Sequence, residues 1–140
     1  MSAIGGRILD SSAILAFVAG APYPAAVVWH AVQQNVVLAI PSAALSEAWA
    51  CARPEDHDVL EVLLGLPVVV VVDDLGAVVR PPVPLRREPH PAAHPAAYPA
   101  AHPAAHVVRR GRERPGWAIV TGRAETLRAL DPDVEVDELP

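Results

Sequence analysis

The sequence predicts an α/β fold with a mainly parallel central sheet of four to five strands. Short apolar runs alternate along the chain with segments whose apolar residues recur at helical spacing. The runs at 36–40 and 68–72 are continuously apolar, which is typical of parallel strands covered on both faces. The chain has 140 residues, 52% of them hydrophobic, and this length and composition fit one domain with an aliphatic core.

The first strand and helix lie in the segment from residue 7 to residue 18, which places one acid between two apolar runs. Ile8 and Leu9 fit a buried strand that ends at Asp10, and the helix is expected to begin at Ser11 or Ser12. Asp10 has two readings. It is either the cap of the helix, which is the commoner role, or a site residue at the carboxyl edge of the sheet, where ligands of α/β proteins bind.

The next elements repeat this alternation. A turn at 20–24 precedes a second helix at 25–34, and a strand follows at 36–40. The third helix, at 43–52, carries Glu47 among apolar neighbours.

A fourth helix and a third strand complete the first half of the chain. The Arg-Pro-Glu-Asp sequence at 53–56 suits a helix start, and the strand at 68–72 ends at Asp73 and Asp74, which are expected to cap a short helical turn. The apolar residues expected on the core face of the fourth helix are Val59, Leu60, Val62, Leu63 and Leu64.

Proline dominates the segment at about 81–103, and residues 90–106 repeat Pro-Ala-Ala followed by His or Tyr. A proline at every fourth position removes helix hydrogen bonds, so this tract is expected to be extended and poorly ordered. Its histidines invite a metal-binding interpretation, but polyproline II repeats every three residues and would not align them.

The last third of the chain returns to ordered elements. A helix is predicted at 104–114, a strand at 117–120 ending at Thr121, a helical turn at 125–130 and an edge strand at 134–136. The net charge of −5 gives no general attraction to nucleic acid. Any such contact would depend on a local cluster made by Arg109, Arg110, Arg112 and Arg114.

The expected compartment is the cytoplasm. The single cysteine, Cys51, excludes an intrachain disulfide and is expected to be a buried, inert thiol. The N-terminus lacks the pattern of a signal peptide, and the longest apolar runs are shorter than the ~20 residues that span a bilayer. The sequence therefore predicts a soluble cytoplasmic protein without a membrane partner.

Three motifs carry a family resemblance. They are Ile-Leu-Asp-Ser-Ser-Ala at 8–13, Pro-Ser-Ala-Ala-Leu-Ser-Glu-Ala-Trp at 41–49, and Gly-Trp-Ala-Ile-Val-Thr-Gly at 116–122 followed by Leu-Arg-Ala-Leu-Asp-Pro at 127–132. In order and spacing the chain resembles a PIN domain, most closely the small VapC-type toxins of toxin-antitoxin pairs. The resemblance implies a three-layer α/β/α fold and one PIN-like domain over 1–140, interrupted by the proline-rich segment.

The resemblance also implies a metal-dependent endoribonuclease that holds Mg²⁺ or Mn²⁺ at the carboxyl edge of the sheet. By motif match Asp10 is the first metal ligand and Glu47 the second acid. Thr121 would hydrogen-bond a ligand or water, and Ser12 would assist near the metal. The implied partners are an RNA substrate, a cognate antitoxin and a second copy of the chain.

The chain departs from the family pattern at two acids. The place of the third acid falls within 101–104, where His102 is the nearest candidate ligand. The fourth acid is replaced by Arg123, with Glu125 nearby. Two functions therefore remain open: a VapC-type ribonuclease of reduced activity, and an inactive PIN-like scaffold that binds an antitoxin or another protein.

Overall fold

A computed structural model of the protein describes residues 5–72 and 103–140. Five parallel strands form one sheet in the order β3-β2-β1-β4-β5. The strands are β1 (Gly6–Leu9), β2 (Val37–Pro41), β3 (Val69–Val72), β4 (Ala118–Thr121) and β5 (Val136–Glu138). The predicted α/β class with a parallel sheet of four to five strands is confirmed.

Six α-helices and one short 3₁₀ helix connect the strands. They are α1 (Ser11–Val18), α2 (Pro22–Gln34), α3 (Ser42–Cys51), α4 (His57–Leu64), α5 (Pro103–Glu113) and α6 (Ala124–Leu130), with the 3₁₀ helix at Pro54–Asp56 before α4. The first helix begins at Ser11, as expected. The second begins at Pro22, three residues before the predicted start, because prolines are well suited to a first helical turn.

The strands alternate their side chains between two apolar clusters on opposite faces of the sheet. Leu9, Leu38 and Val120 belong to one cluster, which also contains residues of α1, α2 and α4. Ile8, Ala39 and Ile119 belong to the other, which contains residues of α5 and α6. This arrangement is consistent with three α/β/α layers, and it explains why β2 and β4 are apolar at successive positions.

Three expectations about exposure and boundaries are wrong. Val59 and Val62 are 37% and 63% exposed rather than in the core, because Leu60 and Leu63 are the residues of α4 that face the sheet. Cys51 is exposed rather than buried, and it is the last residue of α3. The edge strand β5 begins at Val136, two residues later than its predicted start.

Several predictions lie outside the described residues. They concern the caps at Asp73 and Asp74, the order of the proline-rich tract and the metal role of His102. Within residues 5–72 and 103–140, no single helix has the length and apolarity to cross a membrane. The pair α1 and α2 meets that criterion only together, with a bend of 100° between the two helices.

Candidate functional site

The register of β1 and β4 brings the first two candidate residues together at the carboxyl edge of the sheet. Leu9 pairs with Val120, so the residues that follow them, Asp10 and Thr121, lie side by side. The backbone N–H of Asp10 donates to the carbonyl oxygen of Val120 at 3.2 Å. The Thr121 hydroxyl donates to Oδ2 of Asp10 at 2.8 Å. The central strand and its neighbour therefore fix both side chains.

The carboxylate of Asp10 is fully buried and accepts five hydrogen bonds. Oδ1 accepts from the Ser11 backbone N–H at 2.7 Å and from Nη2 of Arg123 at 2.7 Å. Oδ2 accepts from Thr121, from the Ser12 hydroxyl at 2.9 Å and from Nε of Arg123 at 3.1 Å. A carboxylate has about four lone-pair sites, so these donors occupy its whole accepting capacity.

The capping and site readings of Asp10 are both compatible with this geometry. Asp10 has an extended backbone conformation immediately before α1, and its side chain accepts from the first N–H of that helix. It thereby satisfies one of the backbone donors that a helix leaves free at its start. The contacts from Thr121 and Arg123 join it to residues far along the chain, so its carboxylate is more than a cap.

Glu47 reaches the same place from α3. Its Oε1 accepts a hydrogen bond of 2.6 Å from the Ser11 hydroxyl, and it lies 3.4 Å from Nη2 of Arg123. The Glu47 side chain is 30% exposed and lies on the solvent side of the cluster, whereas the Asp10 side chain is fully buried. The first residue of α1, Ser11, thus connects the two acids.

Arg123 supplies the positive charge of this cluster. Its backbone N–H donates to Oγ1 of Thr121 at 2.8 Å, and the N–H of the preceding Gly122 donates to the Ser12 hydroxyl at 2.8 Å. These bonds fix the turn between β4 and α6. The guanidinium then extends over Asp10 and Glu47 with its side chain 27% exposed.

The ion pair keeps both partners charged. Burial raises the pKa of Asp10 and is the largest single effect, but the hydrogen bonds and charge of Arg123, with the hydroxyls of Thr121 and Ser12, together outweigh it. The net result is a lowered pKa for Asp10. The hydrogen bond to Asp10 is the main cause that raises the pKa of Arg123. At neutral pH Asp10 is therefore a carboxylate that faces a permanent cation.

This set of residues does not fit a divalent metal ion as it stands. The oxygens of Asp10 are already occupied by donors, and a guanidinium lies where a cation shared with Glu47 would have to lie. Among residues 5–72 and 103–140, no group of three or more His, Cys, Asp or Glu side chains is placed to hold a metal ion. Mg²⁺ needs carboxylate oxygens that are free to replace its waters.

The structure brings Asp10, Glu47, Thr121 and Ser12 together, as the motif match expected, and their roles in catalysis stay a prediction. Glu125 is exposed in the first turn of α6 and is not among the partners of the cluster. Sequence reasoning recognised that Arg123 opposes a bound cation, but it missed the link that Ser11 makes between the two acids. The adjacent serines at the helix start were the available signal.

The arginine cluster at the end of α5 is partly neutralised by two acids, Glu113 and Asp131. Arg109 and Arg110 pair with Glu113 at 3.6 and 2.6 Å, and Arg112 pairs with Asp131 at 2.7 Å. The guanidinium of Arg114 lies 5.2 Å from the centre of the Trp117 ring. These contacts offset part of the positive charge of the four arginines.

Comparison of the chain with protein-family models, with curated proteins and with solved structures finds no match.

Proposed function

We propose that this chain is a catalytically inactive PIN-like scaffold of the VapC type that acts in the cytoplasm by binding a partner protein of the antitoxin class. One observation carries the proposal. The guanidinium of Arg123 lies against both Asp10 and Glu47, the two acids that a ribonuclease of this type would need as metal ligands.

Arg123 is poorly suited to act as a removable lid over these acids. Its charge cannot be neutralised at physiological pH. Moving its side chain away would leave Asp10, which is fully buried, without its counter-charge, and a buried carboxylate in that state is costly. The cluster is therefore most stable in the state that excludes a second cation.

The surface favours a protein partner over RNA. The net charge is −5, and two acids offset part of the charge of the arginine cluster at 109–114, one member of which packs on Trp117. Large apolar side chains remain exposed within the described residues: Trp29 on α2 is 62% exposed, and Val59 and Val62 share one face of α4. Exposed apolar side chains contribute binding energy to protein interfaces, whereas RNA binding depends on free positive charge.

The ribonuclease of reduced activity remains the second candidate because the oxygens of Asp10, Glu47 and Thr121 converge at one edge of the sheet. Cleavage assays distinguish the two candidates. We expect the natural protein, with Mg²⁺ or Mn²⁺, to cleave single-stranded RNA no faster than its Asp10→Asn variant. Strong cleavage that Asp10→Asn abolishes would favour the ribonuclease instead.

Binding to a partner is tested by cross-linking in cells that express the full chain. We expect one defined protein to be cross-linked to the natural protein and lost from a Val62→Ser variant. Glu61→Gln, a neutralised exposed residue on the same helix, serves as the matched control and should retain that protein. Cross-linking of RNA rather than protein, or no loss with Val62→Ser, would contradict the proposed partner class or surface.

A further inference from the structure

We infer that Arg123 is a built-in cation that takes the place of a divalent metal ion between Asp10 and Glu47, so that removing its side chain converts the cluster into a site for Mg²⁺ or Mn²⁺. The inference rests on the proposed function, because it explains how the scaffold keeps a buried acidic cluster without a metal. It concerns the role of one residue for which sequence reasoning expected only an opposing charge.

The contacts of a single nitrogen resemble those of a coordinated cation. Nη2 of Arg123 lies 2.7 Å from Oδ1 of Asp10, 3.0 Å from the Ser11 hydroxyl and 3.4 Å from Oε1 of Glu47. Nε of the same guanidinium lies 3.1 Å from Oδ2 of Asp10. One positive group thus contacts oxygens from the residue after β1, from α1 and from α3.

The charges of the cluster lead to the same conclusion. With Arg123 present, Asp10 and Glu47 leave a net charge of −1, and a divalent ion would bring the buried cluster to +1. Without the guanidinium the two carboxylates carry −2, which one divalent ion neutralises. The vacated atoms are carboxylate and hydroxyl oxygens, the ligands that Mg²⁺ and Mn²⁺ prefer, and water can complete the coordination.

Backbone hydrogen bonds at residues 122 and 123 fix the point from which the Arg123 side chain extends. The bonds from the Arg123 N–H to Thr121 and from the Gly122 N–H to Ser12 position the start of the side chain beside Asp10. A tethered group competes as if it were at a high local concentration, so free metal at millimolar levels does not displace it. Arg123 is a positioning residue in this sense, since it holds the acids without touching a substrate.

The experiment compares the natural full-length protein with Arg123→Ala. Thermal unfolding is followed in EDTA and in millimolar Mg²⁺ or Mn²⁺ at matched ionic strength, and Mn²⁺ binding is measured directly by electron paramagnetic resonance. We expect no metal-dependent shift for the natural protein. Arg123→Ala should gain about 3–6 °C in Tm when Mn²⁺ is present at roughly ten times its Kd. The double variant Arg123→Ala with Asp10→Asn is the control and should lose this gain.

One further measurement and one further variant keep the test decisive if Arg123→Ala folds poorly. Restoration of its circular dichroism by Mn²⁺ would support the inference, as would Mn²⁺ binding by Arg123→Met, which removes the charge and keeps much of the side-chain bulk. Failure of both Arg123→Ala and Arg123→Met to bind Mn²⁺ would overturn it. So would Mn²⁺ binding by the natural protein that Asp10→Asn abolishes.

These outcomes separate the inference from the proposed function. RNA cleavage by the natural protein in EDTA would refute the inactive scaffold and leave the role of Arg123 intact. Absence of cleavage together with Mn²⁺ bound at Asp10 in the natural protein would refute the role of Arg123 and leave the scaffold intact.

Discussion

The carboxylate of Asp10 offers the sharpest test of the cluster, because two substitutions remove different parts of its interactions. Asp10→Ala removes both oxygens and so takes an acceptor from five donors, among them the hydroxyl of the buried Thr121 and both contacting nitrogens of Arg123. Loss of one member of a buried ion pair typically costs 3–5 kcal/mol, so we expect a loss of about 4 kcal/mol in the free energy of unfolding.

Asp10→Asn keeps more of the network. Its carbonyl oxygen can take the place of Oδ1 and accept from Ser11 and Arg123, while its amide can donate to the hydroxyls of Ser12 and Thr121, which are able to reorient. The charge and the bond from Nε of Arg123 are lost. Hydrogen bonds to charged groups exceed neutral ones by roughly 1 kcal/mol, so the expected loss is about 2 kcal/mol.

Urea unfolding at neutral pH, followed by tryptophan fluorescence and circular dichroism, measures both effects. A loss of about 2 kcal/mol corresponds to a midpoint lower by roughly 1 M urea. Asp133→Asn is the matched control, since Asp133 is exposed, and it should change the midpoint little. If Asp10→Asn and Asp133→Asn have equal stability, or if Asp10→Ala is no less stable than Asp10→Asn, the reasoning about the buried ion pair is refuted.

Three other predictions concern pH, a threonine and a glycine. The lowered pKa of Asp10 means that its contribution to stability is complete above the unfolded-state pKa of about 3.9 and is lost as the pH falls through the lower folded-state pKa. The stability gap between the natural protein and Asp10→Asn should therefore be constant near neutral pH and narrow as the pH falls below about 4. A gap that stays constant in acid would contradict this. Thr121→Val should lower the free energy of unfolding in urea by about 1–3 kcal/mol, because it breaks two hydrogen bonds of 2.8 Å. Thr121→Ser keeps the hydroxyl and should lose less. Equal losses would contradict a role of the hydroxyl. Gly6→Ala should lower the free energy of unfolding by about 1–3 kcal/mol and alter the fluorescence of Trp117, because the Trp117 ring lies 2.5 Å from the position of the new Cβ. Gly5→Ala is the control and should be neutral, since a Cβ there has open space. A stable Gly6→Ala would show that the ring moves freely.

Local patterns were enough to predict the elements that build the site. The apolar run before Asp10 and the serines after it specify a strand followed by a helix, and both signals lie within a few residues of each other. The same holds for β2 and α3, which carry Glu47. Since carboxyl ends of parallel strands meet at one edge, the convergence of these residues also followed from the pattern.

Other features depend on packing that no local pattern specifies. Val59 and Val62 are as apolar as Leu60 and Leu63, and only the angle at which α4 meets the sheet decides which pair is covered. The bridge made by Arg123 depends on a side-chain conformation and on the pairing of β1 with β4, which brings together Asp10 and Arg123, 113 positions apart in the sequence. The sequence could therefore place the charge of Arg123 near the two acids, but it could not show that the guanidinium forms hydrogen bonds with both of them.

The two acids of the cluster carry different information about catalysis. Asp10 is buried, caps α1 and pairs with Arg123, so folding alone gives a reason for an aspartate there. Glu47 is partly exposed and its contacts are with Ser11 and Arg123, which are themselves held by Asp10. Stability thus requires Asp10 far more than Glu47. An intact aspartate after the first strand is therefore weak support for nuclease activity in a chain of this kind. The residue at the position of Arg123 is more informative than Asp10. An acid or an arginine there decides whether the buried carboxylate is compensated by an ion from solution or from within the chain.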